Sequence, residues 1–192
     1  MADPVLHLIA GPNGAGKSTL YDRVIGPVTK LEFVNADVIA ASQWPHDVAA
    51  HAYDASRLAT ERRNELIAGR TSFVTETVFS HESKVDLVRA AAQAGYLVML
   101  HVVLVPEDLA VARVANRVEN DGHDVPEEKV RSRYARLWSL VAEAIPLVDE
   151  ATVYDNSSAS EPFRVVASFD RGVALSKPAW PRWTPKELRA VT

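Results

Sequence analysis

The chain has 192 residues and a net charge of −4, with 47% hydrophobic residues, 24% charged residues and no cysteine. These values are ordinary for a globular protein, and the length suits one domain with a sizeable core. The lack of cysteine excludes disulfides and thiolate metal sites, and the acidic balance does not favour a nucleic-acid or membrane partner. The N-terminal apolar run is too short for a signal peptide, and no apolar run has transmembrane length. We therefore expect a cytoplasmic protein.

Strand-like and helix-like segments alternate along the chain, which predicts an α/β fold with a mainly parallel sheet covered by helices on both faces. The expected strands are residues 5–10, 31–35, 71–75, 96–105, 152–154 and 163–169. The expected helices are residues 18–25, 36–40, 46–68, 81–94, 106–119 and 126–144, with Gly26 and Pro27 ending the first one. We expect one domain over residues 1–175 and a C-terminal tail, rich in tryptophan and proline, over residues 176–192.

The most informative stretch follows the first strand and reads Gly11-Pro12-Asn13-Gly14-Ala15-Gly16-Lys17-Ser18-Thr19. It matches the phosphate-binding loop pattern G-x-x-x-x-G-K-[ST]. Glycines let the backbone approach an anion, and successive N–H groups before a helix N-terminus attract phosphate. We predict that these nine residues bind a nucleoside triphosphate, with Lys17 at the β- and γ-phosphates and Ser18 at Mg²⁺. A glycine-rich turn that binds nothing is the alternative, which the strand–loop–helix context disfavours.

Polar residues follow several of the expected strands, where ligands bind in open α/β sheets. Asp37 comes after the second strand, and it could deprotonate an acceptor hydroxyl, contact Mg²⁺ through water, or cap a helix. Glu76 and Thr77 follow the third strand and could bind substrate hydroxyls or form a polar exit from the strand. Asn156 follows the fifth. We expect these residues to lie near the loop on one edge of the sheet.

A cluster of arginines flanks a glycine-containing turn between two helices. Arg113 and Arg117 are four residues apart and share a helix face, and Arg131, Arg133 and Arg136 lie on the next helix. Arginines on a mobile segment that closes over phosphates are common in small kinases, which predicts a lid over about residues 113–136. The alternative is a solvated helical hairpin whose arginines pair with nearby glutamates.

Several motifs together resemble the zeta toxin family. They are the loop at 11–19, Phe33-Val34-Asn35-Ala36-Asp37-Val38-Ile39-Ala40, Phe73-Val74-Thr75-Glu76-Thr77, the arginine segment with Gly122-His123-Asp124-Val125-Pro126, and Tyr154-Asp155-Asn156-Ser157. The likeness spans roughly residues 5–157, and the ordered set is much more specific than the loop alone. It departs from the family pattern after Glu76-Thr77, where Val78-Phe79 stands in place of a second threonine.

The resemblance implies a P-loop kinase fold, ATP and Mg²⁺ as cofactors, and UDP-N-acetylglucosamine as the acceptor of the phosphoryl group. It implies that Asp37 is the general base, that Glu76 and Thr77 contact the amino sugar, and that Arg117 and Arg133 clamp phosphates. Arg113 and Asn156 are implied near the adenine, and an antitoxin protein is implied as a possible partner. Two alternatives stay open: another P-loop phosphotransferase acting on a polynucleotide or an antibiotic, and a non-catalytic nucleotide-binding switch.

Overall fold

A seven-stranded sheet in the order β2-β3-β1-β4-β5-β6-β7 organises the computed structural model, which describes residues 2–118 and 125–191. The strands are β1 (Val5–Ala10), β2 (Glu32–Val34), β3 (Phe73–Thr77), β4 (Leu97–Leu104), β5 (Glu150–Asp155), β6 (Arg164–Asp170) and β7 (Val173–Ala174). The first five strands of the sheet pair in parallel, and the last two join antiparallel. The predicted α/β fold with a mainly parallel sheet is confirmed.

Helices connect these strands and cover the sheet. They are α1 (Lys17–Leu20), α2 (Gly26–Thr29), α3 (Ala36–Gln43), α4 (Ala52–Ala68), α5 (Ser83–Gln93), α6 (Glu107–Val118), α7 (Glu127–Ala144) and α8 (Lys186–Arg189). A π-helical segment, Tyr21–Ile25, joins α1 to α2, and a 3₁₀ turn, Ile145–Leu147, follows α7. No helix among residues 2–118 and 125–191 is long and apolar enough to cross a membrane.

The core lies on both faces of the sheet because strand side chains alternate between faces. On β1, Leu6 and Leu8 belong to a large buried cluster that also contains residues of α4, α5 and α7. The adjacent Ile9 belongs to a second buried cluster with Leu20 of α1 and Ala110 of α6. The parallel strands therefore end at one edge of a doubly covered sheet, and that edge carries the loops that can bind a ligand.

Several element boundaries differ from the prediction. Gly26 and Pro27 do not end the first helix but begin α2, because proline is tolerated in the first turn of a helix, where its missing N–H is not needed. Residues 46–51 are not helical, and α4 starts only at Ala52. The short β7 and α8 were not predicted. The predicted turn over residues 120–124 lies outside the described residues.

The C-terminal segment packs against the main core. Leu188 of α8 is fully buried in the large cluster, and Trp180 and Trp183 pack against that cluster while partly exposed. The ring of Trp180 lies 6.5 Å from the ring of Phe169 on β6. The division between a domain at 1–175 and a tail stays a prediction about the chain's organisation, but residues of that segment contribute directly to the core.

Candidate active site

A cleft of about 700 Å³ opens at the carboxyl edge of the sheet. Its walls come from the phosphate-binding loop, the start of α3, the end of β3 and the segment after it, and side chains of α4, α5, α6 and α7. A volume of this size lies within the usual range for small-molecule sites. The loop and the predicted polar residues after β2 and β3 thus share one cavity, as the parallel sheet predicts.

The loop is held tightly against its neighbours, and its glycines permit this. Gly14 has φ +75°, and a Cβ there would lie 2.5 Å from the carbonyl oxygen of Ala110 on α6. Gly16 has φ +92°, and its Cβ would lie 2.6 Å from Nδ2 of Asn156. Both positions combine left-handed backbone with a close approach that only glycine allows. Gly11 likewise approaches the Val103 carbonyl oxygen of β4.

Glu76 of β3 connects the loop to the start of α3. Its Oε2 accepts hydrogen bonds from Ser18 Oγ at 2.8 Å and from Asn35 Nδ2 at 3.0 Å, and its Oε1 lies 3.7 Å from Lys17 Nζ. Lys17 Nζ also donates to the Pro12 carbonyl oxygen at 3.0 Å. The side chains of Lys17 and Glu76 are only 7% and 10% exposed, so this carboxylate neutralises a buried ammonium beside the loop.

Asn35, rather than Asp37, caps α3. Its Oδ1 accepts from the backbone N–H groups of Asp37 at 2.7 Å and Val38 at 3.4 Å. The alternative that Asp37 is the helix cap is therefore wrong, because Asn35 already occupies that position with extended backbone. Asp37 lies in the first turn of α3, with an exposed side chain that lines the cleft. Its carboxylate is available to a ligand there.

The residues beside the loop fit a magnesium ion bound together with a nucleotide. Mg²⁺ in such sites takes one or two carboxylates, a loop hydroxyl and phosphate oxygens, and it retains several waters. Ser18 Oγ and the Glu76 carboxylate already lie 2.8 Å apart, and Asp37 lines the same cleft. Within the described residues no group of three or more His, Cys, Asp or Glu side chains could hold a metal by itself. The donor set therefore suits Mg²⁺ brought in with phosphates.

Two arginines of the predicted lid, Arg113 and Arg133, line the cleft, whereas Arg131 pairs with Glu107, Asp108 and Glu127. Arg133 of α7 donates to Asn13 Oδ1 at 3.4 Å and lines the cleft with Arg113. Burial and the neighbouring Arg136 lower the pKa of Arg133, while the charge of Asp37, which lines the same cleft, acts in the opposite direction. Arg117 lies in α6, and its side chain is outside the described part of the structure.

Other predicted site residues have clear positions. Asn156, which follows β5, donates from Nδ2 to the Ala15 carbonyl oxygen at 2.8 Å and is largely buried, so it braces the loop. Thr77 ends β3, lines the cleft and accepts a hydrogen bond from the Phe79 N–H at 3.2 Å. Thr19 also lines the cleft. The roles proposed for these residues in catalysis or adenine binding stay predictions.

Sequence reasoning missed three cations that line the cleft, Arg63 of α4, Lys84 of α5 and Lys129 of α7. A signal for Arg63 was present, because the buried positions of α4 are residues 55, 59, 63 and 66, and a charged residue stands on that apolar stripe. No comparable signal marks Lys84, whose helix face is decided by packing. Asn35 was likewise missed, although asparagine before a helix is a common cap.

A family model described as an AAA domain matches residues 6–138, more than half of the chain. No curated protein matches the sequence.

Solved structures share the fold. A chain of the AvrRxo1-ORF1:-ORF2 complex with ATP has a TM-score of 0.70 and 20% identity, covering 90% of this chain and 60% of that one. A chain of the PezAT chromosomal toxin–antitoxin system of Streptococcus pneumoniae has a TM-score of 0.62 and 12% identity, covering 88% of this chain and 72% of that one. Shikimate kinase from Acinetobacter baumannii has a TM-score of 0.54 and 21% identity, covering 82% of this chain and 87% of that one. The chain spans only about 60% of the first of these, and together they identify a P-loop kinase fold.

Proposed function

Because this chain belongs to the AAA domain family, we propose that it is an ATP- and Mg²⁺-dependent phosphotransferase acting on a hydroxyl group of a small molecule. One observation carries the proposal: a phosphate-binding loop and an accessible carboxylate, Asp37, line the same cleft. The kinase fold of the solved structures is consistent with it, and one of those structures was determined with ATP. A nucleotide-binding switch would need the loop but not Asp37 in the same cavity.

The proposed reaction is in-line transfer of the γ-phosphoryl group. The acceptor oxygen bonds to the γ-phosphorus, the bond from that phosphorus to the β–γ bridging oxygen breaks, and ADP leaves. Asp37 takes the proton from the acceptor hydroxyl. The loop N–H groups and Lys17 hold the phosphates, and Arg133 offsets negative charge on the group being transferred.

Ser18 and Glu76 are the residues that would hold Mg²⁺, Ser18 directly and Glu76 through its hydrogen bond to Ser18 or through water. When bound, the ion neutralises charge on the phosphate oxygens. In the structure, Lys17 Nζ donates to the Pro12 carbonyl oxygen and lies beside Glu76. We propose that it moves from this position toward the phosphates when the nucleotide binds, which is a short rotation of a flexible side chain.

The resemblance to the zeta toxin family supports UDP-N-acetylglucosamine as the first acceptor to test. The PezAT structure belongs to a toxin–antitoxin system, and the AvrRxo1-ORF1 structure is a complex with ORF2. On the same resemblance we propose an antitoxin-type protein partner for this chain. Both proposals are narrower than phosphotransfer itself, which does not depend on either of them.

The test is direct. The protein is incubated with ATP, Mg²⁺ and a panel of UDP-sugars, sugars, nucleosides and nucleotides, and mass spectrometry is used to find an acceptor heavier by one phosphoryl group. We expect a product in at least one mixture and none with Lys17→Met, because the loop then lacks its cation. Phosphorylation of UDP-N-acetylglucosamine would support the narrower proposal. ADP formation that no acceptor raises would favour a nucleotide switch and contradict the proposed function.

A further inference from the structure

A buried arginine lies in the wall of the cleft that α4 provides. Arg63 is only 6% exposed, yet it lines the cleft. Its guanidinium donates to Thr60 Oγ1 at 2.8 Å and, more weakly, to Thr75 Oγ1 at 3.5 Å. Both partners are neutral hydroxyls, and a guanidinium has five N–H donors. The charge of Arg63 is therefore left without a counter-charge from these contacts.

The other arginines of α4 show what an ordinary pairing looks like on this helix. Arg57 pairs with Glu61 at 2.7 Å, and Arg62 pairs with Glu32 at 2.7 Å. These two side chains are roughly half exposed, whereas the buried Arg63 has no ion pair among the described residues. Stability would favour pairing the buried arginine rather than the exposed ones, because an unpaired charge costs far more folding free energy when it is buried.

A second cation lines the same cleft as the first. Lys84 of α5 lines the same cleft, and it makes no ion pair with any described residue. Burial lowers the pKa of its ammonium, and the positive charge of Arg63 lowers it further. Burial also lowers the pKa of Arg63. Two elements thus bring two like charges together in a partly desolvated wall, an arrangement that an anion would relieve.

These cations belong to different elements from the groups that contact Glu76 beside the loop. Lys17 and Ser18 are on the loop and α1 and contact Glu76, whereas Arg63 and Lys84 project from α4 and α5. The cleft therefore carries two cations, from α4 and α5, in addition to the lysine and carboxylates beside the loop. A guanidinium binds phosphate or carboxylate oxygens with two parallel hydrogen bonds, and an ammonium adds a point charge.

We propose that Arg63 and Lys84 form an oxyanion site that binds a phosphate or carboxylate group of the acceptor, separate from its reacting hydroxyl. The inference deepens the proposed function and rests on it, because it names a class of acceptor for the same cleft. Such a site selects acceptors that carry an anionic group in addition to the reacting hydroxyl. UDP-N-acetylglucosamine, which carries a diphosphate, belongs to this class, and a neutral free sugar does not.

The first experiment measures anion binding without turnover. The protein is saturated with Mg²⁺ and a non-hydrolysable ATP analogue, so that the loop is filled, and inorganic phosphate is titrated by calorimetry. The wild type should bind phosphate, and Lys84→Met and Arg63→Met should each raise its Kd roughly tenfold or more, as expected for a charge-assisted contact. Lys84→Met is the safer variant for folding, because Lys84 is only partly buried.

Matched controls are available on the same chain. Arg57→Met removes an exposed arginine of α4, and Lys186→Met removes an exposed lysine of α8 that does not line the cleft. Both should leave phosphate binding unchanged. The proposal is overturned if the nucleotide-saturated wild type binds no phosphate, or if the two cleft variants bind it as tightly as the controls. It is also overturned if those variants weaken binding of the ATP analogue instead, since the cations then serve the nucleotide.

The second experiment compares acceptors in pairs, each of which has one anionic and one neutral member. UDP-N-acetylglucosamine is compared with N-acetylglucosamine, AMP with adenosine, and gluconate with glucose. Only anionic members should be phosphorylated, and Lys84→Met should raise KM roughly tenfold with a smaller effect on kcat. Turnover of UDP-N-acetylglucosamine or AMP indicates a phosphate group, and turnover of gluconate indicates a carboxylate.

The outcomes separate this inference from the proposed function. Efficient turnover of a neutral acceptor that Lys84→Met leaves unchanged overturns the oxyanion site and leaves the phosphotransferase standing. Phosphate binding that depends on Arg63 and Lys84, with no acceptor phosphorylated in any pair, supports the site and counts against the phosphotransferase.

Discussion

Asp37→Asn should abolish most phosphoryl transfer while leaving the fold and ATP binding nearly intact. Within the described part of the chain the Asp37 carboxylate makes no hydrogen bond or ion pair, and Asn35 supplies the cap of α3. Its contribution to stability is that of an acidic side chain in the first turn of a helix. The free energy of unfolding should therefore fall by no more than about 1 kcal/mol.

The effect on catalysis should be much larger. Loss of a positioned general base costs about 100- to 10,000-fold in rate, which corresponds to roughly 3–5 kcal/mol of activation free energy. The assay measures kcat with the acceptor that the panel identifies, Kd for ATP by fluorescence, and the urea midpoint. Asp47→Asn is the matched control, because it removes an exposed carboxylate just after α3. An unchanged kcat in Asp37→Asn, or a loss confined to ATP affinity, would refute the assignment of Asp37 as base.

Three further expectations follow from other contacts. Asn156→Ala removes the donor to the buried Ala15 carbonyl and should lower the free energy of unfolding by about 1–3 kcal/mol. It should also weaken ATP binding measured by calorimetry, whereas Ser157→Ala should not. Leu188→Ala empties a fully buried site and should lower the free energy of unfolding in urea by about 2–5 kcal/mol; an unchanged midpoint would mean that α8 adds no stability. Burial and the adjacent His7 lower the pKa of His101 to about 3, so below pH 6.5 the unfolded chain binds a proton that the folded chain does not. The unfolding free energy should then fall by up to about 1.4 kcal/mol per pH unit toward acid, and His101→Gln should flatten that slope between about pH 7 and 5.

The local parts of the site could be predicted from the sequence. The loop at residues 11–18 is contiguous, and its glycines and the following helix act through short-range backbone geometry. The alternation of strands and helices predicted the parallel sheet, and that sheet in turn predicted that Asp37 and Glu76 would meet the loop at one edge. In the structure, both residues line the cleft.

Contacts between distant segments needed the tertiary structure. Ser18 and Glu76 are 58 residues apart, and Asn156 and Ala15 are 141 apart, and no local pattern indicates which side chain accepts from which. The roles anticipated for Glu76 and Asn156 concerned the sugar and the adenine. Those roles stay predictions, whereas the contacts of both residues with the loop appear only in the structure, where β3 pairs with β1 and β5 with β4.

The sequence by itself determined the phosphate-binding loop, which is one short segment whose conformation depends on its own glycines. The proposed oxyanion site for the acceptor could be recognised only in the tertiary structure. Arg63 stands on the apolar stripe of α4, but only the packing of α4 against the sheet shows that it is buried without an ion pair among the described residues, whereas Arg57 and Arg62 pair with glutamates at the surface. That Arg63 and Lys84 line the same cleft depends on how α4 and α5 pack on the sheet, and local residue patterns carry little information about that.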